Sequence, residues 1–230
     1  MSKGIKKIFS EVPDTYEMVN HVLTLGFDMI WRRKAARIAA EDGGNLWMDI
    51  CSGTGEMAAN LNRLADNGMI IVSGDFSVPM QSKAKEKKEN KNTIFTITDA
   101  KELPFPDNTF DLITISFATR NLNLSKDILT KTFAEFKRVL KPGGRFINLE
   151  TSQPGSKWIR KLVHLYVKTA VKPVGLFISG SKAGYTYLSS TIPRFYNGEE
   201  LSEILYKSGF SKVVHKRLLF GVAAVHKAVK

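Results

Sequence analysis

Residues 45–56 read N-L-W-M-D-I-C-S-G-T-G-E, and this stretch decides the predicted fold. An apolar segment typical of a buried strand runs into a turn with two glycines, and a helical pattern follows the turn. Gly53 and Gly55 can adopt positive φ and carry no Cβ, so backbone amides at this turn can approach a ligand closely. A strand, a glycine turn and a helix in this order predict a binding site for a nucleotide-type cofactor.

Two further acids follow the next two predicted strands. Asp75 ends the strand after the glycine turn and lies 20 residues beyond Gly55, where nucleotide-binding folds place a carboxylate that accepts both ribose hydroxyls. Asp99 follows the third strand, where a carboxylate can accept a hydrogen bond from an adenine amino group. Because the carboxyl ends of parallel strands meet at one edge of a sheet, Asp49, Asp75 and Asp99 are expected to share one cleft. The acids and the glycine turn together predict an adenosine-containing ligand.

The glycine pattern separates two classes of cofactor. Dinucleotide-binding turns usually read GxGxxG, and here Ala58 stands where the third glycine would be. Without that glycine the close packing around a pyrophosphate is lost, which favours a cofactor without phosphates. The alternative, that G-T-G is only a tight structural turn, fits less well with the two acids downstream.

Strand and helix patterns alternate along the chain. Apolar runs that begin at residues 45, 69, 93, 110 and 144 are typical of strands, and helical patterns lie between most of them. Such alternation predicts an α/β domain with a mostly parallel sheet covered by helices on both faces. Residues 14–41 hold two further helical patterns, the first opened by a cap-like Asp14 with Glu17 three residues on, the second basic and Ala-rich.

The composition excludes several classes of protein. The 230 residues suffice for one α/β domain, and no apolar run reaches the roughly 20 residues that span a bilayer. The first residues lack the apolar core of a secretion signal. Cys51 is the single cysteine, which excludes an intramolecular disulfide and leaves no Cys/His set with metal-ligand spacing. We therefore expect a cytoplasmic protein without a metal site.

Positive charge is concentrated in the last third of the chain. From Thr151 onward there are 13 Lys and Arg and 3 Glu, so +10 of the net charge of +12 lies there. The segment 156–172 predicts an amphipathic helix whose basic face carries Lys157, Lys161, His164, Lys168 and Lys172. Such a helix can lie on an anionic membrane, or its apolar side can pack on the sheet or cap a substrate, and both alternatives stay open.

Two functional interpretations of the positive charge are less favoured, a nucleic-acid partner and a functional basic patch at residues 83–92. Nucleic acid is not expected as a partner, because no RNA-binding module is appended and the aromatic residues of the last third lie within apolar patterns. The charged run K-A-K-E-K-K-E-N-K-N at residues 83–92 is interpreted as a solvated helix end and loop.

Several longer motifs resemble those of a known family. The segment R-V-L-K-P-G-G-R-F-I-N-L-E-T-S, residues 138–152, is similar to a signature of the ubiquinone/menaquinone biosynthesis C-methyltransferases, which are class I S-adenosylmethionine (SAM) methyltransferases. L-P-F-P-D-N-T-F-D and I-T-I-S-F-A-T-R-N resemble family motifs too, and the resemblance runs almost from end to end. Near the N-terminus Y-E-M-V-N and T-L-G-F-D-M-I-W resemble the family's other signature with departures. These departures are Glu17 for Asp, Val19 for Met, Thr24 for Ser and Asp28 for His, and Cys51 and Ser52 also replace smaller residues in the glycine turn.

The resemblance implies a Rossmann-like class I fold in one domain, residues 1–230, with a mostly parallel seven-stranded sheet, helices on both faces and a helical substrate cap. Within it, residues 1–42 would form N-terminal cap helices, 45–152 the cofactor-binding core, 153–197 the cap helices, and 198–230 a C-terminal helix and closing strands. SAM would be the cofactor and S-adenosylhomocysteine its product. The implied cofactor-binding residues are Asp49, Cys51, Gly53, Thr54, Gly55, Asp75, Phe76, Asp99, Ala100 and Ser116.

The implied reaction is methyl transfer to a ring carbon of a prenylated quinol, a demethylmenaquinol-like compound or a ubiquinol precursor, or of a related isoprenoid aromatic. Arg120 and Asn121 would hold the substrate oxygen, Tyr16 and Asp99 would shape the proton path, and Tyr185 would lie over the active site. Because such a substrate resides in a bilayer, peripheral contact with the inner face of an anionic membrane is expected, and a homodimer is compatible. Two alternatives remain: a class I methyltransferase with another small-molecule or lipid acceptor, and a non-catalytic SAM-binding or membrane-associated partner protein.

Overall fold

The computed structural model of the chain describes residues 13–180 and 182–230. Within these residues one sheet contains seven strands: β1 (Leu46–Ile50), β2 (Ile70–Asp75), β3 (Ile94–Ile97), β4 (Phe110–Ser116), β5 (Leu140–Thr151), β6 (Lys212–Leu218) and β7 (Ala223–Val229). Their spatial order is β3-β2-β1-β4-β5-β7-β6. Strands β1 to β5 run parallel, and β7 is antiparallel to both β5 and β6. The predicted mostly parallel seven-stranded sheet is confirmed.

Helices cover both faces of this sheet. They are α1 (Pro13–Leu23), α2 (Phe27–Ala40), α3 (Glu56–Asn62), α4 (Val78–Glu86), α5 (Thr119–Leu122), α6 (Lys126–Val139), α7 (Lys157–Ser179), α8 (Lys182–Thr191) and α9 (Gly198–Lys207). Local sequence fixes two of the starts. The Ser125 hydroxyl accepts a hydrogen bond from a backbone N–H of α6, and Asn197 forms a capping box with Glu200 at α9.

Alternation along the strands divides the core into two layers. Met48 and Phe146 belong to a phenylalanine-rich layer on one face, whereas Trp47 and Ile147, one residue away, belong to the layer on the other face. The Ala-rich pattern of α2 packs into this second layer, because small side chains allow its backbone to lie close to the sheet. Its basic residues Arg33, Lys34 and Arg37 remain exposed, as the amphipathic pattern predicts, whereas Arg32 is buried.

A third, smaller cluster joins the N-terminal helices to the helices that follow β5. Val19 of α1 packs with Val167 and Val171 of α7 and with Tyr185 of α8. Gly175 of α7 makes this packing possible, since a Cβ there would lie 2.0 Å from the Tyr185 ring. These helices form the helical cap. No helix in the described part of the chain combines the length and the apolar character needed to cross a bilayer.

The predicted start of α1 is wrong in one respect. Asp14 lies inside the first turn of α1 and does not cap it. Its carboxylate pairs with Lys83 (Oδ1 to Nζ 2.9 Å), and Glu17 pairs with Lys87 (Oε1 to Nζ 2.8 Å). The two acids therefore tie α1 to the end of α4, and part of the charged run at 83–92 has a structural partner instead of being only solvated.

Strand β5 is longer than the predicted strand at residues 144–150. Leu140 already pairs with Phe110 of β4, and the backbone N–H of Lys230 donates to the Gly144 carbonyl at 3.0 Å. The end of the chain thus fixes the K-P-G-G turn to the sheet, a contact that local propensity does not reveal.

The glycine turn after β1 uses its two glycines for different purposes. Both have positive φ, +54° at Gly53 and +77° at Gly55. A Cβ on Gly53 would meet nothing within 4 Å, whereas a Cβ on Gly55 would lie 2.6 Å from Asn90 Nδ2 and 2.7 Å from Ala84 Cβ. The prediction that both glycines make room for a ligand is wrong for Gly55, which allows the start of α3 to pack against α4.

Replacing Gly55 by alanine is expected to lower the free energy of unfolding by about 3 kcal/mol, because the left-handed backbone and the overpacking each contribute roughly 1–2 kcal/mol. Gly180→Ala is the matched control: φ is +70° there, but nothing lies within 4 Å of a Cβ, so the loss should be about 1 kcal/mol. Urea denaturation measures both. Equal losses would contradict the packing role of Gly55.

Candidate active site

The carboxylate of Asp75 links the turns that follow β1 and β2. Its Oδ2 accepts a hydrogen bond from the Gly53 backbone N–H at 2.9 Å, and its Oδ1 accepts one from the Ser77 N–H at 2.8 Å. Burial raises the pKa of Asp75, although these backbone hydrogen bonds partly oppose the shift. The acid is therefore held in a fixed position at the carboxyl edge of the sheet.

A cavity of about 40 Å³ opens on this turn. Six predicted cofactor-binding residues lie in its wall: Cys51, Gly53, Thr54, Asp75, Phe76 and Ser116. Tyr16 and Asn121, which were predicted as substrate-side residues, also lie in this wall. The sequence analysis missed the other residues of the wall, which are Arg32, Ser52, Glu56, Met57, Met80 and Ala118. Most of the predicted cofactor-binding residues therefore lie together in one cavity wall.

Four predicted cofactor-binding residues lie outside this wall. Gly55 packs on α4 as described above, and Ala100 belongs to the phenylalanine-rich core layer. Asp99 follows β3. Its Oδ1 accepts a hydrogen bond from the Lys101 N–H at 3.1 Å, a contact within its own loop. Asp49 is fully buried beneath the turn.

Asp49 supports the turn from the inside of the sheet. Its Oδ1 accepts a hydrogen bond from the Thr114 hydroxyl at 2.7 Å, and its Oδ2 has no hydrogen-bond partner among the described residues. Burial raises the pKa of Asp49 to about 7, against the opposing effect of the Thr114 hydrogen bond. A carboxyl group in this position contributes to the shape of the site and does not line it.

A larger cavity of about 350 Å³ adjoins the first. Its wall is mainly apolar and comes from α1, α2, α7 and α8 and from the ends of β4 and β5. Tyr16, Arg32 and Asn121 line both cavities. A reactive group placed beside these three residues can face a second molecule in the larger cavity, so the larger cavity is the candidate substrate site.

Arg120 lies in the wall of the larger cavity and is buried. Its Nη1 donates to Oε1 of Glu150 at 3.1 Å and to the Thr151 hydroxyl at 3.0 Å, and its backbone N–H donates to Oε2 of Glu150 at 3.1 Å. Glu150 is itself 1% exposed. Arg120 is therefore not a surface arginine, and Glu150, which the sequence analysis quoted only as part of a signature, is the partner that positions it.

Two predicted tyrosines face the same cavity. Burial raises the pKa of Tyr16, and an Asn20 hydrogen bond and the charges of Arg32 and Arg120 oppose this shift. Burial also raises the pKa of Tyr185, whose ring packs on Gly175. Both phenols stay protonated at neutral pH, so each can donate a hydrogen bond but neither is a base there.

A largely buried ion network joins α1, α2 and α3 at the walls of the two cavities. Arg32 Nη1 lies 2.5 Å from Asp28 Oδ2 and 2.8 Å from Glu56 Oε2. The His21 Nδ1 atom lies 2.8 Å from the same Asp28 oxygen. Burial opposes ionisation of Asp28, but the Thr24 hydroxyl and Arg32 outweigh it and lower its pKa. Asp28, where the family usually has histidine, is thus the counter-ion of an arginine that the sequence analysis missed.

One group of metal-ligand side chains occurs among the described residues. Ligand atoms of Glu17, His21 and Glu56 lie within 4.8 Å of one another. Lys87 pairs with Glu17, and Arg32 pairs with Glu56. Because cationic side chains already balance the two acids, the group is explained as part of the ion network.

Asp75→Asn is expected to weaken binding of SAM, the cofactor that the sequence resemblance implies, about tenfold or more, since hydrogen bonds to a charged acceptor contribute roughly 1.5–3 kcal/mol. Because burial raises the pKa of Asp75, the wild-type protein should lose affinity on acidification at a pH above the usual range for an aspartate, as the carboxylate becomes protonated. Asp75→Asn should show no such step. Calorimetry at several pH values tests this, with Asp66→Asn, an exposed aspartate, as control. A matching pH step in Asp75→Asn would contradict the assignment.

The comparisons with known proteins agree with this geometry. The chain matches the ubiE/COQ5 methyltransferase family over residues 1–230. It is 33% identical over 227 residues to the ubiquinone/menaquinone biosynthesis C-methyltransferase UbiE of Desulfotalea psychrophila, covering 99% of this chain and 90% of that protein. It is 34% identical over 227 residues to the demethylmenaquinone methyltransferase of Clavibacter sepedonicus, covering 98% of this chain and 90% of that protein.

Solved structures show the same fold at low sequence identity. A SAM-dependent methyltransferase from Aquifex aeolicus has a TM-score of 0.58 and 18% identity, and the match covers 85% of this chain and 88% of that one. Phosphoethanolamine N-methyltransferase 2 of Haemonchus contortus, solved with SAM, has a TM-score of 0.57 and 17% identity over 81% of this chain and 49% of that one. The chain therefore belongs to the ubiE/COQ5 methyltransferase family and is a SAM-dependent methyltransferase with a Rossmann-like class I fold.

Proposed function

We propose that this protein transfers the methyl group of SAM to a ring carbon of a prenylated quinol, a demethylmenaquinol or a ubiquinol precursor. The observation that carries the proposal is the apolar cavity of about 350 Å³ that meets the cofactor cavity at Tyr16, Arg32 and Asn121. The names of the relatives, a ubiquinone/menaquinone C-methyltransferase and a demethylmenaquinone methyltransferase, support the same acceptor. A class I methyltransferase with another acceptor is the alternative, because Glu17, Val19 and Asp28 depart from the family signature.

The residues of the smaller cavity suit SAM. Open space lies where a Gly53 Cβ would project, so a ligand can approach the turn closely. Asp75 retains acceptor capacity for ribose hydroxyls beyond its two backbone hydrogen bonds. Bound SAM would supply an electrophilic methyl group on a sulfonium. The protein must hold the acceptor ring in line with that methyl group, an orientation effect that can contribute several kcal/mol.

Cofactor entry requires α1 to move. The cavity of about 40 Å³ is far below the roughly 300–1,000 Å³ of ordinary small-molecule sites. Tyr16 of α1 forms one side of it, and partly exposed ion pairs with Lys83 and Lys87 hold α1 to the end of α4. Such pairs contribute little individually, so the contact between α1 and α4 can open at small cost, whereas the buried Val19 keeps α1 packed on α7 and α8.

Arg120, Asn121 and Tyr16 are suited to hold the ring oxygen of the acceptor. A ring carbon becomes nucleophilic when a neighbouring hydroxyl loses its proton, and the Arg120 guanidinium would stabilise the resulting oxyanion. Tyr16 is protonated at neutral pH and can donate to the same oxygen. Hydrogen bonds from Nη1 to Glu150 and to the Thr151 hydroxyl hold the guanidinium of Arg120, so it needs little reorganisation during the reaction.

We also propose that the protein works at the surface of an anionic membrane. Helix α7 has one apolar side packed on the cap through Val167 and Val171. A second apolar side is exposed: Trp158 is 79% and Leu165 58% accessible. The exposed Lys161 lies on the same solvent side. Both alternatives for this helix therefore have support, since one side caps the site and the other is free to contact lipid.

The apolar surface continues around the mouth of the larger cavity. Leu162 of α7, Leu25 of the α1–α2 turn and Leu219 after β6 line the cavity and are also exposed. Phe220, next to Leu219, is 76% exposed. Residues 151–198 contain no Asp or Glu, which suits contact with anionic headgroups. A quinol with an isoprenoid tail could pass from the bilayer into the cavity along this rim.

Incubation of the protein with SAM and chemically reduced demethylmenaquinone is expected to give a product that is heavier by one CH₂ unit, as measured by mass spectrometry. A paired variant, Arg120→Met with Glu150→Gln, serves as control, because removing Arg120 alone would leave a buried unpaired carboxylate. The pair should lower turnover about 100-fold or more and leave SAM affinity unchanged. Lack of turnover across a panel of prenylated quinols, with SAM bound normally, would contradict the proposed acceptor.

Leu165→Glu is expected to weaken binding to phosphatidylglycerol-containing vesicles about tenfold or more, because a buried leucine side chain contributes roughly 1.5–3 kcal/mol. Leu165 does not line either cavity in the described residues, so activity on a detergent-solubilised quinol should persist. Ile94→Glu, at an exposed isoleucine of β3, is the control. Vesicle co-sedimentation measures binding. Unchanged binding in Leu165→Glu, with loss of a homodimer instead, would assign this surface to self-association.

A further inference from the structure

Arg32 lies at the meeting point of the two cavities with part of its guanidinium unused. Its side chain is buried and contributes to both walls. Nη1 makes the contacts to Asp28 and Glu56 described above. The buried Nε has no hydrogen-bond partner among the described residues, and no hydrogen bond from Nη2 is found there. The edge formed by Nε and Nη2 is the one that binds a carboxylate with two parallel hydrogen bonds.

The chemistry of SAM indicates which part of it would reach this edge. If the ribose lies on Asp75, the sulfonium must lie beside Tyr16, Arg32 and Asn121 for its methyl group to enter the substrate cavity. Two methylene groups then separate the sulfur from the carbon that bears the ammonium and the carboxylate. The amino-acid end of SAM must therefore lie close to the junction of the two cavities.

The charges in the cofactor wall are complementary to a zwitterionic amino acid. Among the wall residues in the described part of the chain, Arg32 carries the positive charge, and Glu56 beside it is partly exposed. Asp28 fixes the guanidinium from behind, and the Phe117 ring lies 5.0 Å from the Arg32 Cζ atom. An orphaned guanidinium edge and an accessible carboxylate thus lie side by side.

We propose that Arg32 binds the α-carboxylate of the methionyl tail of SAM through its Nε edge, that Glu56 faces the α-ammonium, and that Asp28 positions Arg32. The proposal rests on SAM as the cofactor and is independent of the acceptor. The competing explanation is that Arg32 only neutralises the buried Asp28 and the partly exposed Glu56. The two explanations make different predictions about affinity. Only if Arg32 binds the carboxylate should its replacement change how much tighter a ligand with the carboxylate binds than one without it.

The test compares the affinities of SAM and decarboxylated SAM, which differ only in this carboxylate. The wild-type protein should prefer SAM by about 10- to 100-fold, the range expected for hydrogen bonds to a charged group. In Arg32→Gln this preference should fall to about 3-fold or less, mainly through weaker SAM binding. Arg33→Gln, at the exposed neighbouring position, should keep the wild-type preference. Isothermal titration calorimetry measures all six affinities without any acceptor.

Two further variants address damage to the fold, since Arg32→Gln leaves Asp28 and Glu56 without their cation. Arg32→Lys keeps the charge but loses the paired hydrogen bonds, and it should show an intermediate preference. Arg32→Gln with Asp28→Asn reduces the uncompensated charge and should show the same low preference as Arg32→Gln. A wild-type preference retained in these variants would overturn the proposal. If the wild-type protein bound neither ligand, the assignment of SAM as cofactor would itself be wrong. This result differs from binding of both ligands with an unchanged preference, which would overturn only the role of Arg32.

Discussion

The hydrogen bonds from two backbone amides to the carboxylate of Asp75 are the interaction on which the site depends. They connect the turn after β1, through Gly53, to the turn after β2, through Ser77. Burial raises the pKa of this carboxylate, so its charged form is unfavourable in the folded protein without those donors. The same geometry that keeps the charge in place also aims the remaining acceptor positions at the cavity, where a ribose would be bound.

Buried arginines define the other side of the site, and each is matched by acids. Arg32 pairs with Asp28 and Glu56, and Arg120 pairs with Glu150. An apolar cavity can hold two guanidinium groups because these pairs and their hydrogen bonds offset much of the desolvation of the charges. Ion pairs of this kind fix orientation more than they add stability. The acids thus hold both arginines in fixed positions in the wall of the larger cavity, where each can contact a ligand.

The features of the fold and the site that depend on local sequence pattern could be predicted from the sequence. The strands, the glycine turn and Asp75 follow from periodicity within each element and from the spacing between consecutive strands. The partners of Arg120 could not be predicted from pattern, because Arg120 lies on α5 and Glu150 lies 30 positions further on, near the end of β5. Periodicity also fails on α7, where it identifies apolar residues but not which side is packed. Only the fold shows that Val167 is buried and Trp158 exposed. Gly55 matched the expected motif for a different physical reason, close packing on α4.

A crystal structure of the protein with S-adenosylhomocysteine tests the central claim most directly, since the claim concerns where one sulfur atom lies between two cavities. The account predicts ribose hydroxyls on the Asp75 carboxylate and the sulfur beside Tyr16 and Asn121, facing the larger cavity. It also predicts an α1 helix displaced enough to admit the ligand. A nucleoside bound within the apolar cavity under α7, with Asp75 untouched, would contradict it.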